Sequence, residues 1–249
     1  MAKRDLFLGK PRMNAAGSLG FSPDPRTGIP LNSFGAFVTN PVSHRPRLPA
    51  AQPFLIEFPG GFLLHAGLPN PGFPAVLKSH APRWNRADLP IIVHLMADRP
   101  DETRQMVKSL EQVENVMAVE LGFAPLLSED IIFLTLEMCL GELPLIYSLP
   151  AEQILSVGPR LIQHGAAAVS IACPRGALPA NDGHIITGRL FGPSLFPRSL
   201  EVVQSAGFLG IPIIGGGGVW NEKDAVLMLS AGAMAVQVDA RLWTPSDTI

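Results

Sequence analysis

The stretch IPIIGGGGVWNEKDAVLMLSAGAMAVQVD, Ile211–Asp239, decides the fold class of this chain. The apolar run Ile211–Ile214 ends at four consecutive glycines, and a second apolar run, Met234–Val238, closes the stretch. Between the two runs, Asn221 is a favourable helix N-cap, and Asp224 places a carboxylate near the positive end of the helix dipole. This order predicts a strand, a loop, a helix and a second strand.

The glycines of this stretch, Gly215–Gly218, are suited to binding an anion. Glycine lets the backbone approach a ligand closely and lets successive N–H groups converge on a phosphate. In eight-stranded α/β barrels, the loops after strands seven and eight form the usual phosphate site. A tight connection that binds no ligand is the alternative interpretation of the same glycines.

Length and composition fit a single domain over residues 1–249. The chain is 47% hydrophobic and has a net charge of −2, and one α/β barrel takes about 250 residues. Charged residues make up 16% of the chain, against roughly 25% in an average protein. The low value leaves apolar surface for another chain to cover. Because no basic patch is present, we expect no nucleic-acid partner.

Targeting and redox signals favour a cytoplasmic protein. The N-terminal residues contain no apolar core of the length that a signal peptide needs. The most apolar region, Ile131–Leu149, is interrupted by Glu137 and Glu142, so no membrane span is expected. Cys139 and Cys173 give no disulfide framework, and neither they nor the histidines show metal-ligand spacing. We therefore expect no metal.

Further apolar runs alternate with helical patterns along the chain. The predicted strands are Met13–Leu19 with its loop, Phe34–Thr39, Ile91–Met96, Val116–Leu121, Leu143–Leu149 and Ala167–Ala172. The predicted helices are Phe73–His80, Asp98–Glu114, Ser128–Gly141, Ala151–His164 and Arg198–Ala206. Asp98 is the expected cap of its helix, and Pro159 is expected to break or restart the helix that contains it. Asn40–Pro59 is interpreted as a long excursion and Cys173–Pro193 as a long loop.

With the opening stretch, these segments give eight strands that alternate with helices, which predicts a closed (β/α)8 TIM barrel. An open doubly wound sheet is the alternative. One or two outer helices are missing from the pattern, because no helical segment follows the first strand and few residues follow Val238. Helices normally cover the outer face of parallel strands. We therefore expect a partner subunit or a homo-oligomer to cover the exposed face.

Five motifs, taken in order, resemble those of the dihydroorotate dehydrogenases, and class 1 more than class 2. They are NAAGSLGF at 14–21, SFGAFVTNPVSHRPRLP at 33–49, HAGLPNPGFPAVL at 65–77, ITGRLFGPSLFP at 186–197 and IPIIGGGGVWNEKDAVLMLSAGAMAVQV at 211–238. The resemblance covers most of residues 10–240 and implies a barrel that holds FMN at the carboxyl ends of its strands. It implies contacts to FMN from Gly188, Gly217, Gly218, Asp239 and Ala240, with the phosphate at Gly217, Gly218 and around Asp239. Asn70 would contact the substrate.

The resemblance also implies that several catalytic and cofactor-binding positions of the family carry other residues in this chain. The family lysine after the second strand corresponds to Asn40, and the lysine near the flavin ring corresponds to Ser148. The family loop that carries the proton-removing cysteine or serine reads ELGFAP at Glu120–Pro125, without a thiol or hydroxyl. At the phosphate, the family glycine and threonine correspond to Asp239 and Ala240, and a carboxylate there would repel a phosphate dianion.

Three other side chains have candidate roles. Cys173 follows a predicted strand end, where catalytic groups of barrels lie, and is the best substitute for the missing base, although a lone cysteine is more often a buried hydrophobe. His94, within a strand, could face the barrel mouth or serve packing. Arg189 could bind an anion or form a surface salt bridge.

Two functions from different classes remain open. The first is an FMN-dependent oxidoreductase of the dihydroorotate dehydrogenase type. The second is a catalytically degenerate barrel that serves as a structural or binding subunit of a larger complex. Bound flavin in the purified protein distinguishes the first from the second.

Overall fold

The predicted alternation of strands and helices forms a barrel in the computed structural model, which describes residues 5–125 and 127–244. The strands are β1 (Arg12–Asn14), β2 (Phe37–Val38), β3 (Phe54–Phe58), β4 (Gly61–His65), β5 (Ile91–Met96), β6 (Val116–Gly122), β7 (Leu145–Leu149), β8 (Ala168–Ile171), β9 (Arg175–Pro179), β10 (Ile185–Phe191), β11 (Ile213–Gly215) and β12 (Ala235–Val238). The helices are α1 (Phe73–Trp84), α2 (Pro100–Leu110), α3 (Glu129–Cys139), α4 (Ala151–Gln163), α5 (Phe196–Phe208) and α6 (Glu222–Ser230).

Eight of these strands form one parallel sheet in the order β1-β12-β11-β8-β7-β6-β5-β2. A parallel bridge between Met13 and Ala36 joins β1 to the segment that leads into β2, which closes the ring. The (β/α)8 TIM barrel predicted from the sequence is confirmed, and the open doubly wound sheet is excluded.

The remaining strands form a small antiparallel sheet in the order β3-β4-β10-β9. It is built from the segments that follow β2 and β8, so it extends from the end of the barrel where those strands finish. The prediction of a loop over Cys173–Pro193 was wrong, because β9 and β10 form a hairpin there. The local sequence pattern did not predict the hairpin, because β10 also pairs with β4, more than a hundred residues away.

Two apolar layers stabilise the barrel. The larger lies between the strands and the surrounding helices. The smaller fills the barrel interior with Met13, Ala36, Val38, Ile92, Ala118, Ile146, Ala168, Ile214 and Ala235. Because side chains alternate across a strand, residues two positions further along face the same interior. At these positions β5, β6 and β8 carry polar residues, and these are the first residues of the candidate site.

Helix ends follow the predicted capping signals in part. Asn221 Oδ1 accepts from the Asp224 backbone N–H at 3.0 Å, and Asp224 Oδ2 accepts from the Asn221 N–H at 3.2 Å, so the predicted cap of α6 is confirmed. Asp98 was the wrong cap, because Arg99 occupies that position in α2. The expected break at Pro159 was also wrong: α4 is continuous, and the carbonyl that loses its partner belongs to Leu155, on the exposed side where water can satisfy it.

Within the described residues, no α-helix directly follows β1 or β12, as predicted. Between β1 and β2 the chain forms short 3₁₀ helices at Pro25–Thr27 and Leu31–Ser33. After β12, the part that the structure describes contains the 3₁₀ helix Ala240–Trp243. Within the described ranges, no helix is long and apolar enough to cross a membrane.

Candidate functional site

A cavity of about 650 Å³ opens at the carboxyl ends of the barrel strands. Catalytic groups of this fold lie at that end, because each strand finishes there and passes into a loop. The polar side chains that line the cavity include His94, Glu120, Ser148, Cys173, Arg189 and Asp239. Its size is within the range of small-molecule sites, roughly 300–1,000 Å³.

A buried network of hydrogen bonds forms one wall of this cavity. His94 on β5 and Glu120 on β6 are register partners, and the imidazole Nδ1 lies 2.7 Å from Glu120 Oε2. The second carboxylate oxygen, Oε1, accepts from Ser170 Oγ at 2.6 Å and from Gln237 Nε2 at 2.9 Å. Four strands of the barrel therefore hold one carboxylate in place.

These hydrogen bonds determine the charge state of Glu120. Burial by itself raises the pKa of this carboxyl, but the hydrogen bond and charge of His94, with the hydrogen bonds from Ser170 and Gln237, outweigh burial and lower the pKa. The carboxylate is therefore ionised at neutral pH. An ionised Glu120 accepts a hydrogen bond donated by His94 Nδ1, so Nε2 is the ring nitrogen left available to a ligand.

The position of the His94 ring depends on Gly122. A Cβ atom at Gly122 would lie 2.4 Å from His94 Nε2, closer than any packed contact allows. The absence of a side chain therefore gives the ring its space. His94 keeps 8% of its side-chain surface exposed, toward the cavity that it lines. In the part of the chain that the structure describes, Nε2 has no hydrogen-bond partner.

A second buried carboxylate, Asp239, lies at the end of β12. Its Oδ1 accepts from the Ala240 backbone N–H at 2.6 Å. Burial raises the pKa of Asp239 to about 6, against the lowering effect of hydrogen bonds from the backbone N–H groups of Ala240, Asp239 itself and Gly218. Asp239 is thus a largely ionised carboxylate at pH 7, held by backbone donors from the loops after β11 and β12.

The glycine loop after β11 is tightly packed. Gly217 and Gly218 have positive φ angles of 86° and 77°, which favour glycine. A Cβ at Gly217 would lie 2.9 Å from Ser199 Oγ, and one at Gly218 would lie 2.4 Å from the Phe196 backbone nitrogen. Gly217 lines the cavity, whereas the Gly218 N–H is directed to Asp239.

Of the other residues assigned from the resemblance, Gly188 and Asn70 lie outside the cavity lining. Gly188 belongs to β10, where a Cβ would meet Leu63 at 2.5 Å. Asn70 Oδ1 accepts hydrogen bonds from the Ser43 N–H, the Ser43 hydroxyl and the Gly72 N–H. Asn70 therefore holds two loops together, and its role toward a substrate stays a prediction.

Cys173 and Arg189 are neighbours in the cavity. The Cys173 thiol faces the Leu190 carbonyl at 3.4 Å, and burial raises its pKa to about 12. A thiol that holds its proton so firmly is a poor base or nucleophile at neutral pH. Arg189 lines the same cavity, and within the described ranges its guanidinium has neither a hydrogen bond nor an ion pair. Desolvation lowers the pKa of Arg189 from its usual value.

Sequence reasoning missed Glu120 as a site residue and treated His94 as more suited to packing. The two residues are separated by 26 positions, and only the strand register brings them together. A signal was present, however. Charged or titratable residues inside otherwise apolar strands, as in IIVHLM and VMAVELG, must find a partner when buried.

Comparison with known proteins identifies relatives along nearly the whole chain. A family model described as dihydroorotate dehydrogenase matches residues 5–123. The catalytic subunit of dihydroorotate dehydrogenase B (NAD(+)) from Pelobacter propionicus is 31% identical, over 97% of this chain and 86% of that protein. The corresponding subunit from Geotalea daltonii is 30% identical, over 96% of this chain and 87% of that protein.

A solved structure shares the fold. The crystal structure of a dihydroorotate dehydrogenase from Eimeria tenella, in complex with ferulenol, superimposes with a TM-score of 0.71. The alignment covers 94% of this chain and 76% of that one, at 17% sequence identity. At this identity the likeness shows the barrel architecture alone.

Proposed function

We propose that this chain, which belongs to the dihydroorotate dehydrogenase family, has lost FMN-dependent dihydroorotate oxidation and keeps its barrel mouth as a binding site for another small molecule. The retained part is the fold with its cavity of about 650 Å³. The lost part is the phosphate cradle, together with the charges and proton carrier that the family uses.

The observation that carries this proposal is the position of Asp239. Its carboxylate accepts the Ala240 N–H at 2.6 Å and also the Gly218 N–H, which are donors that a phosphate would need. With its pKa at about 6, the group is mostly an anion at pH 7. A phosphate dianion would have to displace an internal anion and then lie beside it in a low-dielectric pocket. The residues present therefore do not fit FMN held by its phosphate.

The substitutions implied by the family resemblance support the same conclusion. Asn40 stands for one lysine, and its side-chain oxygen is occupied by the Gly20 N–H at 3.0 Å. Ser148 stands for the other lysine and carries no charge. A general base contributes roughly 10²–10⁴-fold to a rate, and each lost preorganised donor costs about 10²–10³-fold. Several such losses together leave little dihydroorotate oxidation.

The direct test is the activity of the purified chain supplied with FMN. We expect protein without a flavin absorbance band, which reduces an electron-accepting dye with L-dihydroorotate no faster than FMN alone does. The matched comparison is Asp239→Gly combined with Ala240→Thr, which restores the pair that the resemblance places at the phosphate. Protein purified with stoichiometric FMN, or wild-type oxidation at the rate of a family enzyme run in parallel, overturns the proposal.

We further propose a cytoplasmic protein whose barrel is covered by a partner subunit or a second copy. Phe208 and Leu209 at the end of α5 are 92% and 55% exposed, and Val226 on α6 is 51% exposed. Apolar side chains grouped on neighbouring helices favour association. Size-exclusion chromatography with light scattering tests this point: a monomer at micromolar concentration contradicts the second copy and leaves only the separate partner.

A further inference from the structure

We infer that the barrel mouth is a proton-transfer site for a small 2-oxo carboxylate, in which Arg189 binds the carboxylate and His94 exchanges a proton next to the carbonyl group. The inference concerns the same cavity as the proposed function. It uses His94, Arg189 and Ser148, whereas the proposed function rests on Asp239. It needs neither the presence nor the loss of FMN.

His94 has the arrangement of a general base. Nδ1 lies 2.7 Å from Glu120 Oε2, so in the neutral imidazole the lone pair is on Nε2, which lacks a partner among residues 5–125 and 127–244. Glu120 is a positioning residue: it fixes the ring orientation and the tautomer and stabilises the imidazolium that forms after proton transfer. Because Ser170 and Gln237 saturate its other oxygen, the carboxylate cannot turn away from His94.

A core network without catalytic use is the simpler interpretation of His94 and Glu120. Two observations argue against it. Burying an ionised pair costs free energy, and apolar residues of similar volume often replace such a pair without loss of stability. In addition, Gly122 leaves room at Nε2 on the cavity side, where a side chain would otherwise enclose the ring.

Arg189 provides the site for an anion. Its guanidinium is largely desolvated, lines the cavity, and within the part of the chain that the structure describes has no carboxylate at ion-pair distance. Asp239 lines the same cavity without forming an ion pair with it. Arg47 and Arg175 also line the cavity. A planar guanidinium with free N–H groups binds a carboxylate through two parallel hydrogen bonds.

Ser148 is the cavity residue that we assign to the carbonyl oxygen of the ligand. It is the register partner of Gly122 across β6 and β7, and Gly122 is the residue against which the His94 ring lies. Ser148 lines the cavity, and its hydroxyl has no hydrogen-bond partner among the described residues. A hydroxyl in this position donates to the oxygen on which negative charge develops.

The step is balanced without an oxidant or a second reactant. A C–H bond next to the ligand carbonyl breaks, the proton passes to His94 Nε2, and the electron pair stays on the ligand as an enolate. The enolate oxygen accepts a hydrogen bond from the Ser148 hydroxyl, while Arg189 holds the carboxylate. Return of a proton from Nε2 to the same carbon restores the ketone, so exchange with solvent is the observable result.

The test is deuterium incorporation into 2-oxobutyrate and 2-oxoglutarate in D₂O, followed by proton NMR with the full chain. We expect exchange at the carbon next to the ketone at least tenfold above the buffer rate. His94→Gln should return the exchange to the buffer rate, because loss of a general base costs roughly 10²–10⁴-fold. Arg189→Gln should raise KM with a smaller effect on kcat, because it removes binding of the carboxylate.

Controls separate these roles from damage to the fold. His184, exposed in the β9–β10 connection, and Arg198, exposed on α5, are matched residues outside the cavity. His184→Gln and Arg198→Gln should exchange at the wild-type rate. Glu120→Gln should lower kcat at unchanged KM and shift the His94 tautomer, read from ¹⁵N NMR, which a merely structural role would not do.

The outcomes are decisive and separate from those of the proposed function. Folded wild-type protein that exchanges neither compound above the buffer rate overturns the inference. So does folded His94→Gln that keeps the wild-type rate. If His94→Gln fails to fold, carbethoxylation of wild-type His94 replaces it, with exchange expected to fall in proportion to modification. FMN binding or dihydroorotate oxidation overturns the proposed function, whereas the exchange rates, measured without added FMN, decide the inference.

Discussion

The two buried carboxylates of the barrel mouth, Glu120 and Asp239, lie at the same end of the barrel in opposite environments. Glu120 receives hydrogen bonds from three side chains on three strands, and its pKa is lowered despite burial. Asp239 receives hydrogen bonds from backbone N–H groups of its own and a neighbouring loop, and burial raises its pKa to about 6. Burial alone therefore does not set the charge of a carboxyl; the kind and charge of its donors also contribute.

The contrast also divides the cavity by function. The Glu120 side positions an imidazole whose second nitrogen is open to a ligand. On the Asp239 side, a buried carboxylate accepts a hydrogen bond from the Ala240 backbone N–H. A ligand therefore meets a site for proton transfer at one wall and a carboxylate at the other. Substitutions on each side of the cavity test this difference.

The largest effect is expected from Glu120→Ala. The substitution leaves His94, Ser170 and Gln237 without their common acceptor in a buried position, and breaking such a network costs about 3–5 kcal/mol of unfolding free energy. Urea denaturation at pH 7 measures the loss. The matched control is Glu201→Ala, which removes an exposed ion pair with Arg198 and should cost less than about 1 kcal/mol. Equal losses in both variants would contradict the stabilising role of the network.

Asp239→Asn should raise the free energy of unfolding by an amount that depends on pH. A carboxyl whose pKa rises from 3.8 to about 6 on folding destabilises the fold in its charged form, fully above pH 6 and not at all below pH 3.8. The rise corresponds to at most about 3 kcal/mol. The stability of the variant relative to wild type should therefore increase between pH 4 and pH 7. A difference that is constant across this range would show that burial does not penalise the charge.

The ionised form of Glu120 has the opposite effect on the stability of the fold. Its lowered pKa means that the ionised form stabilises the fold above the ordinary pKa of a glutamate, and that this stability is lost as the pH falls through the lower folded-state value. Asp239→Asn should leave this acid-induced loss in place. Thermal unfolding from pH 3 to pH 7 in wild type and variant therefore separates the two carboxylates.

Gly122→Ala should have an intermediate effect. The added methyl group would lie 2.4 Å from His94 Nε2, so the ring must move away from Glu120 or the strands must separate. Overpacking of this kind costs about 1–3 kcal/mol. Thermal unfolding and the His94 imidazole resonances report the change. Gly9→Ala is the control, because no atom lies within 4 Å of its added methyl group; a similar loss there would contradict a local clash at His94.

The smallest expected effect is on the reactivity of Cys173, because the charge of Asp239 contributes to the pKa of its thiol. Burial is the main cause of its raised pKa, and the Asp239 charge adds to the rise. Asp239→Asn should therefore speed alkylation of Cys173 by iodoacetamide at pH 8, because loss of the carboxylate charge lowers the pKa of the thiol. Peptide mass spectrometry distinguishes Cys173 from Cys139. Slower labelling of Cys173 in the variant would contradict the charged state of Asp239 in the wild type.

Sequence patterns predicted the barrel because its strands are mostly apolar runs that alternate with segments of helical pattern. Ile91–Met96 was predicted to the residue, and the Asn221 cap fixed the start of α6. The hairpin of β9 and β10 was missed, since half-exposed strands with glycine and proline resemble a loop until their pairing partners are known.

The site was less accessible from sequence for a physical reason. The glycines Gly215–Gly218 are neighbours in the chain, so a glycine loop after β11 could be predicted, while its role toward a phosphate stays a prediction. The bond between His94 and Glu120 depends on strand register, and the absence of a partner at Arg189 depends on the whole cavity. Neither is a property of a local segment. The resemblance to the family identified Asp239 as a departure, but only the fold shows which N–H groups its carboxylate occupies.

The most direct test of the central claim is the dissociation constant of FMN for wild type and for Asp239→Gly at pH 7.5, measured by quenching of flavin fluorescence. Removing the internal carboxylate frees the Ala240 and Gly218 N–H groups and ends the repulsion of phosphate. We predict at least tenfold tighter binding to the variant, equivalent to about 1.4 kcal/mol. Wild-type binding as tight as that of the variant would contradict the claim that Asp239 fills the phosphate cradle.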